Sequence, residues 1–312
     1  MRRPAAAPAT DHDSATDSIR SSLATMESVR LADGRMLSAR RWTAGTHRIV
    51  VLHGLLDSSE SWICLYERLG CSGVAFDLPG FGSSDPPQRG SITAYAHDIA
   101  DGLEMLGVER FTLVGHSLGG AVATALAELI PERVASLVLL APAGFGRLHL
   151  AEAVSVPGVR TIVRAALPLA LSSRFAVSAG YVTMVTSGRP PDQELVDRVT
   201  ARGTALVAGA REGTRAVVDA GRSPEAFYRR RVRYGGPVFA LWGDQDRLVP
   251  PSHRHAVKAA FPDAQIDLWA GIGHHPLHER FDALTALIDR AADAADPRPS
   301  QRRLRRAAAE RT

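Results

Sequence analysis

Lysine and cysteine are both rare in this sequence. The only lysine is Lys258, so arginine supplies almost all of the 37 basic side chains. The two cysteines, Cys64 and Cys71, fit neither a disulfide framework nor a metal-binding pattern, and we expect both to be reduced and partly buried. The sequence therefore argues against a disulfide-stapled domain and against a cysteine-based metal site.

Long uninterrupted hydrophobic runs are missing as well. The longest mainly apolar stretch, residues 148–185, is broken by three arginines and two prolines, which rules out an ordinary membrane span. The N-terminus has two arginines with no apolar segment behind them, so it does not predict a secretory signal. From these two observations we expect a soluble, cytoplasmic protein.

Outside the C-terminus the charges nearly balance. The formal net charge is +4, and the last sixteen residues alone hold six arginines against one glutamate. This tail has no aromatic residue, and the chain has no nucleic-acid-binding motif, so we predict no nucleic-acid partner. We expect disordered tails at 1–25 and at 294–312, the second of them basic.

The apolar residues that are present predict alternating strands and helices. Two short alternating runs flank Asp33-Gly34, which is typical of a β-hairpin. Continuous apolar runs, typical of strands buried on both faces, follow at 47–54, 72–80, 110–117, 134–142, 237–246 and 264–273. Helical patterns lie between them at 95–107, 118–130, 252–261 and 277–293. This order predicts an α/β fold with a mostly parallel sheet, flanking helices, and a site at the carboxyl ends of the strands.

One long segment interrupts the alternation. Residues 145–234 contain helix-forming stretches separated by proline and glycine, with no convincing strand. We predict that they form a helical lid over the carboxyl edge of the sheet, inserted into a core made of 26–144 and 235–293. The candidate substrate-pocket residues, each of which suits the interior of the lid equally well, are Phe145, Leu148, Phe175, Tyr181, Met184 and Phe227. The sequence does not indicate an oligomeric state.

A serine lies between two glycines where an apolar run ends and a helical pattern begins. Residues 115–119 read G-H-S-L-G, with Ser117 at the centre. A serine on such a strand-to-helix turn has strained backbone angles, and the flanking glycines remove the side chains that would crowd it. The turn exposes the hydroxyl beside a helix N-terminus, which favours negative charge. The pattern therefore predicts that Ser117 is a nucleophile.

The other parts of a serine hydrolase follow three more predicted strands. A serine hydroxyl needs an oriented base, and the last strand is followed by His274 and His275. The strand before it is followed by Asp244 and Asp246, either of which is suited to orient that base. Backbone N–H groups after His53-Gly54, together with the N–H of Leu118, are candidates for an oxyanion hole. Nucleophile, acid and base thus occur in the order Ser, Asp, His.

Five motifs of the chain resemble those of the α/β-hydrolase fold superfamily, in particular its lid-bearing, esterase-like serine hydrolases. They are HGLLDSSESW (53–62), DLPGFGSSD (77–85), GHSLGG (115–120), WGDQDRLVP (242–250) and GHHPLHE (273–279), and the resemblance covers about residues 27–293. The resemblance implies Ser117 as nucleophile, Asp246 as acid and His274 as base. It also implies Leu55 as an oxyanion donor beside Leu118, with Leu56 as the alternative.

These features predict an enzyme that hydrolyses a small to medium, largely apolar carboxylic ester, thioester or lactone, without a cofactor. Epoxide hydrolases and haloalkane dehalogenases have aspartate at the nucleophile position, where this chain has serine. C–C bond hydrolases share the triad but commonly read HG-x-G-P-G at the first turn, and cofactor-free haloperoxidases share the triad too. A ligand receptor with vestigial catalysis is the non-enzyme alternative.

The remaining polar residues near these turns have structural interpretations. We expect His53 and His116 to brace their turns by hydrogen bonds, and Asp77 to hold the turn that follows it. His275 and His278 are expected at the surface or in supporting positions. No metal is predicted, because the histidines lack the carboxylate pattern of a metal site.

Overall fold

The computed structural model describes residues 24–45, 48–87, 90–148, 152, 156–191, 193–208, 227 and 230–295. Both predicted tails lie largely outside these residues. Eight strands form one sheet: β1 (Ala24–Arg30), β2 (Met36–Trp42), β3 (Arg48–Leu52), β4 (Ser72–Phe76), β5 (Phe111–His116), β6 (Val134–Leu140), β7 (Val238–Gly243) and β8 (Gln265–Trp269). Every predicted strand is therefore present, including the hairpin.

The sheet has the order β1-β2-β4-β3-β5-β6-β7-β8. The first two strands are antiparallel to their neighbours, and the other pairs are parallel. From β3 the chain runs first to β4 on one side and then to β5 on the other. The strand order therefore reverses between β3 and β5, and open α/β sheets bind ligands at such a reversal.

Helices cover both faces of the sheet. In chain order they are α1 (Ile63–Leu69), α2 (Ile92–Met105), α3 (Leu118–Leu129), α4 (Pro157–Leu171), α5 (Arg174–Gly180), α6 (Gln193–Ala208), α7 (Arg254–Ala260), α8 (Pro276–Glu279) and α9 (Phe281–Ala295). Buried residues of α2, α3 and α7 share one apolar core, and those of α1 and α9 share the other. Alternate residues of β3 point into each core: Val50 and Leu52 into the first, Ile49 and Val51 into the second.

Two predictions of the helices and one of the cysteines need correction. Helix α1 was not among the predicted helices, and the predicted helix at 277–293 is two helices, α8 and α9. The break falls at Arg280, which has φ −148° and ψ 61°. Cys64 and Cys71 are free as predicted, but Cys64 is exposed and Cys71 is buried, so neither is half-buried.

The residues between β6 and β7, which we call the insert (145–234), contain helices α4, α5 and α6 and a π-helical turn at Tyr181–Val185. No strand occurs in the described residues of the insert. Helices α4, α5 and α6 have a small apolar core of their own that includes Leu171, Val177 and Leu195.

Candidate active site

Ser117 lies between the end of β5 and the first residue of α3. Its backbone has φ 53° and ψ −114°, and positive φ values are unusual for residues other than glycine. Such conformations are costly and concentrate at functional sites. A Cβ atom at Gly119 would overlap Leu52 O at the end of β3, and one at Gly115 would overlap Gly119 O. Glycine at 119 therefore allows the turn to pack directly against β3, and glycine at 115 allows α3 to pack against the end of β5.

Main-chain hydrogen bonds hold this strained turn in place. Ser117 N–H donates to Leu140 O at the end of β6 over 2.9 Å, and Ser117 O accepts from Ala143 N–H over 2.9 Å. Leu118 is the first residue of α3, where a backbone N–H has no acceptor inside the helix. This N–H and the positive end of the helix dipole favour an anion next to Ser117.

A buried histidine–aspartate pair joins the loops that follow β7 and β8. His274 Nδ1 donates to Asp246 Oδ2 over 2.7 Å, which leaves Nε2 as the proton-accepting nitrogen of the neutral ring. Asp246 Oδ1 accepts the N–H groups of Leu248 and Val249 at 2.9 Å each, which fixes the carboxylate. Asp244 is exposed and accepts instead from Gly271 N–H. Of the two candidate carboxylates, Asp246 is the one that contacts the histidine.

His116 connects the serine turn to this pair. Its Nε2–H donates to His274 O over 2.8 Å, and the centres of the two rings are 4.9 Å apart. On its other side is the loop after β3: a Cβ atom at Gly54 would lie 2.9 Å from His116 Nδ1 and 3.4 Å from Ser117 Cβ. The loops after β3, β5, β7 and β8 therefore meet at one edge of the sheet.

The turn after Gly54 contains the two candidate oxyanion donors. Leu56 has φ 65°, which turns the chain away from the strand direction, and Leu55 is partly exposed. Among the described residues, neither the Leu55 N–H nor the Leu56 N–H donates to a main-chain acceptor. Both amides thus remain candidates, as in the sequence-based prediction.

Burial keeps the neighbouring histidines neutral. His53 Nδ1–H donates to Gly54 O over 2.7 Å and its Nε2 accepts from Leu78 N–H over 3.0 Å, so it braces its turn as predicted. Burial lowers the pKa of His53 and lowers the pKa of His116 to about 3. Burial also lowers the pKa of His275, which is buried rather than at the surface.

These buried histidines predict that the protein loses stability in mild acid. Unfolded histidine takes up a proton below pH 6.5, whereas folded His116 stays neutral down to about pH 3. The unfolded state therefore binds more protons in this window, so stability is complete above pH 6.5 and falls as the pH drops. His116→Gln should reduce the loss of unfolding free energy between pH 7 and pH 5 by roughly 1 to 2 kcal/mol. Urea unfolding at both pH values measures it, with the exposed His97→Gln as control. An unchanged loss in His116→Gln would contradict the prediction.

Glu279 is a site residue that the sequence reasoning missed. Its carboxylate accepts Gly273 N–H at 2.9 and 3.0 Å, just before His274 in the chain. It also accepts Ser187 N–H at 3.1 Å, and Ser187 Oγ lies at 2.9 Å. Val185 O, two residues earlier, accepts His274 N–H at 2.6 Å. Glu279 and residues 185–187 of the insert thus hold the loop that carries His274.

The six candidate pocket residues do not form one cluster. Phe145 and Phe227 stack with ring centres 5.4 Å apart in the main core, and Leu148 packs partly against that core. Tyr181 packs against the small core of the insert. Met184 is exposed, and Phe175 is 84% exposed, so Phe175 faces solvent rather than an enclosed pocket. The pocket assignment remains a prediction.

Asp77 holds the turn that follows it, as predicted. Its two carboxylate oxygens accept Ser59 N–H at 2.7 Å and Ser83 N–H at 2.8 Å.

Within the described ranges, no group of three or more His, Cys, Asp or Glu side chains is placed to hold a metal ion. In the same ranges no single helix is long and apolar enough to cross a bilayer, although the bent pair Pro157–Leu171 and Arg174–Val185 passes that test on length and composition.

The comparisons with known proteins agree on one family. The family model described as alpha/beta hydrolase fold matches residues 47–178. An uncharacterised protein of Mycobacterium tuberculosis is 32% identical over 264 residues, covering 80% of this chain and 76% of that protein. The 2-hydroxy-6-oxo-6-phenylhexa-2,4-dienoate hydrolase of Comamonas testosteroni is 28% identical over 77% of this chain and 85% of that enzyme.

Another relative is longer than this chain. The dihydrolipoyllysine-residue acetyltransferase component of the acetoin cleaving system of Cupriavidus necator is 31% identical over 82% of this chain and 66% of that protein. Among solved structures, a membrane phospholipase A has a TM-score of 0.74 at 22% identity, covering 91% of each chain. A thermophilic esterase of Thermogutta terrifontis has a TM-score of 0.69 at 20% identity, covering 87% of this chain and 99% of the esterase. Both structures share the fold.

Proposed function

This chain belongs to the α/β-hydrolase fold family, and we propose that it is a serine hydrolase of small to medium, largely apolar carboxylic esters, thioesters or lactones. The observation that carries the proposal is the buried His274–Asp246 hydrogen bond beside the strained turn of Ser117. Acyl transfer requires a base that a carboxylate orients and that lies close to the serine, which is what supports the proposal.

In the proposed reaction, Ser117 Oγ attacks the carbonyl carbon while His274 Nε2 takes the hydroxyl proton. Asp246 holds the Nδ1–H tautomer of His274 and stabilises the imidazolium that forms. The carbonyl π electrons move to oxygen, and the resulting oxyanion accepts the N–H groups of Leu118 and Leu55, with Leu56 as the alternative to Leu55. Each such donor contributes about 3 kcal/mol to lowering the barrier.

The tetrahedral intermediate collapses with the imidazolium proton passing to the departing alkoxide or thiolate. In the acyl-enzyme that remains, water gives a proton to His274 and attacks the acyl carbon. The second tetrahedral intermediate collapses as His274 passes that proton to Ser117 Oγ, the C–Oγ bond breaks and the carboxylic acid leaves. The proton count closes because His274 ends each cycle as the neutral ring with which it began. No step requires a cofactor or a metal ion.

We assign the insert the role of a lid over this site. Its support is the contact of Val185 and Ser187 with the loop that carries His274. Phe145, Leu148, Tyr181 and Phe227 remain candidates for the walls of the acyl pocket, whereas Phe175 and Met184 are exposed.

C–C bond hydrolysis is the second candidate, and the similarity to the Comamonas testosteroni hydrolase favours it. The same serine, histidine and aspartate would serve a ketone whose carbon–carbon bond breaks in place of the C–O bond. Against it, the first turn reads HGLLDS and lacks the glycine and proline common in that group.

The test is hydrolysis of p-nitrophenyl esters from acetate to palmitate, beside consumption of a 2-hydroxy-6-oxodienoate. A rate that peaks at one ester chain length supports the esterase and measures its pocket. Turnover of the dienoate with little ester hydrolysis would replace the first candidate with the second. No turnover of any of these, in a protein that a serine-directed phosphonate does not label, would overturn the proposal.

Loosening the histidine loop is expected to slow the reaction without weakening substrate binding. Glu279→Gln is nearly isosteric but puts an NH₂ donor against the N–H groups of Gly273 and Ser187. We expect kcat to fall by roughly 10- to 100-fold with KM changed less than about threefold, because misplacing a catalytic group by about 1 Å costs on that order. Steady-state kinetics below the unfolding transition measures both constants.

The matched control is Glu128→Gln. Glu128 is also a carboxylate that accepts a main-chain N–H, from Arg233 at 2.8 Å, and it binds Arg230, but it does not contact the histidine loop. We expect Glu128→Gln to lower the melting temperature with kcat nearly unchanged. An equal fall of kcat in both variants would mean general destabilisation rather than displacement of His274.

A further inference from the structure

Exposed apolar side chains are concentrated on the insert. Eleven large hydrophobic side chains are exposed among the described residues, and six of them lie between residues 156 and 184. These six, which we call the insert face, are Val156, Val159, Ile162, Leu169, Phe175 and Met184. The other five are spread over the rest of the described chain. Single exposed apolar side chains are normal, whereas this concentration on one segment indicates an interaction surface.

Helix α4 is apolar on two opposite sides. Leu167 and Leu171 point inward and pack against the cores. Val159, Ile162, Ala166 and Leu169 recur every three or four residues and are exposed, with Ile162 at 68% and Leu169 at 62%. A helix on the surface of a water-facing domain normally carries polar residues on its outer side. The outer side of α4 is therefore suited to a second apolar environment.

The net charge of the insert indicates what kind of surface the outer side of α4 contacts. Residues 145–234 contain fourteen arginines and seven acidic residues, a net charge of +7 in a chain whose total is +4. The stretch 153–191, which includes the whole insert face, has four arginines and no aspartate or glutamate. Of these arginines, Arg174 pairs with Asp197 of α6 and Arg189 donates to Glu279 O over 3.1 Å. Two copies of an insert with this net charge would repel each other, whereas an anionic surface would attract it.

From this combination we infer that the insert face binds an anionic lipid surface. Helices that lie in a membrane interface combine arginine with exposed leucine, isoleucine and phenylalanine, and their apolar side enters the boundary of the acyl chains. Basic residues near the membrane add attraction to anionic headgroups. The bound protein lies on the membrane without spanning it.

This binding would place the insert between the lipid and the core. Because Val185, at the end of the segment that carries the insert face, bonds to His274 N–H, the membrane-facing segment and the candidate active site are in direct contact. An apolar substrate dissolved in the membrane would then enter from the side on which the protein docks. The lipid binding itself does not depend on the proposed catalysis.

Flotation with phospholipid vesicles tests the inference without any activity measurement. The full-length protein is mixed with vesicles of phosphatidylcholine containing phosphatidylglycerol, and with vesicles of phosphatidylcholine alone, at low and high salt. The test variant is the double substitution Ile162→Ser with Leu169→Ser, which changes only exposed side chains. The matched control is Met105→Ser, because Met105 on α2 is 55% exposed but lies outside the insert.

We expect wild type and Met105→Ser to bind the anionic vesicles at low salt, with weaker binding at high salt or without phosphatidylglycerol. The double variant should bind at least about 10-fold more weakly, because burying two large aliphatic side chains supplies more than that factor. Unchanged binding of the double variant would assign the lipid affinity to the arginine-rich residues 298–311 and overturn the inference.

Two further outcomes would overturn it. One is the absence of binding to anionic vesicles at low salt. The other is a dimer of the wild type in analytical ultracentrifugation that the double variant dissociates, since the insert face would then be covered by a second copy. A hydrolase that fails the flotation test keeps its proposed function, and a lipid-binding protein without ester turnover keeps this inference.

Discussion

Replacing Ser117 with alanine is expected to reduce kcat by about 10⁴-fold or more while the protein remains folded. Alanine removes the hydroxyl that forms the acyl-enzyme, and neither His274 nor a bound water can replace that covalent step at a comparable rate. The backbone at Ser117 has φ 53°, and alanine is no bulkier than serine, so we expect the turn to be kept. Initial rates on the best p-nitrophenyl ester, with circular dichroism and melting temperature, measure the effect.

The control for Ser117 is a serine on the edge strand β1 of the same sheet, and three strands separate β1 from β5. Ser28 on β1 bonds only to Ser38 Oγ among the described residues, at 3.1 Å, and Ser28→Ala should hydrolyse the ester at the wild-type rate. A serine-directed phosphonate should label wild type and Ser28→Ala but not Ser117→Ala. If Ser117→Ala kept more than about a tenth of the activity, the nucleophile would have to be another residue, and the proposed mechanism would fail.

The sequence was sufficient to predict the parts of the fold that depend on local chemistry. The run 111–115 is mainly apolar because β5 is buried on both faces. The pattern G-H-S-L-G is recognisable because only glycine fits at 115 and 119. The parallel order then brings the ends of β3, β5, β7 and β8 together, whatever the details of the loops. Asp246 was separable from Asp244 only through the resemblance to the family, and the hydrogen bond to His274 agrees with it.

What the sequence did not reveal depends on contacts between distant residues. Glu279 accepts the N–H of Ser187, 92 residues away, and no motif marks a carboxylate whose partners are main-chain groups. The sequence does not distinguish the exposed Phe175 and Ile162 from interior residues. A 3.6-residue period shows that one side of a helix is apolar but not whether that side faces the core or the solvent. Helix α1 has only seven residues, too few for that period to be recognised.

Asp246→Asn is expected to lower kcat by roughly 10⁴-fold, the second large effect, with Asp244→Asn as its matched control. The asparagine carbonyl can still accept the N–H groups of Leu248 and Val249, so its NH₂ group faces His274 Nδ1. His274 must then accept at Nδ1 and carry its proton on Nε2, where it cannot take the proton of Ser117. The structure of the site would be preserved and its chemistry lost.

Asp244→Asn makes the same chemical change at the neighbouring residue: one carboxylate oxygen is replaced by an NH₂ group. Its carbonyl can still accept Gly271 N–H, and the side chain is exposed, so kcat should change less than about threefold. The comparison separates the tautomer effect from the loss of one negative charge near the end of β7, because both variants lose that charge. Equal losses in the two variants would show that His274 needs only a negative field, whereas full activity in Asp246→Asn would remove Asp246 from the mechanism.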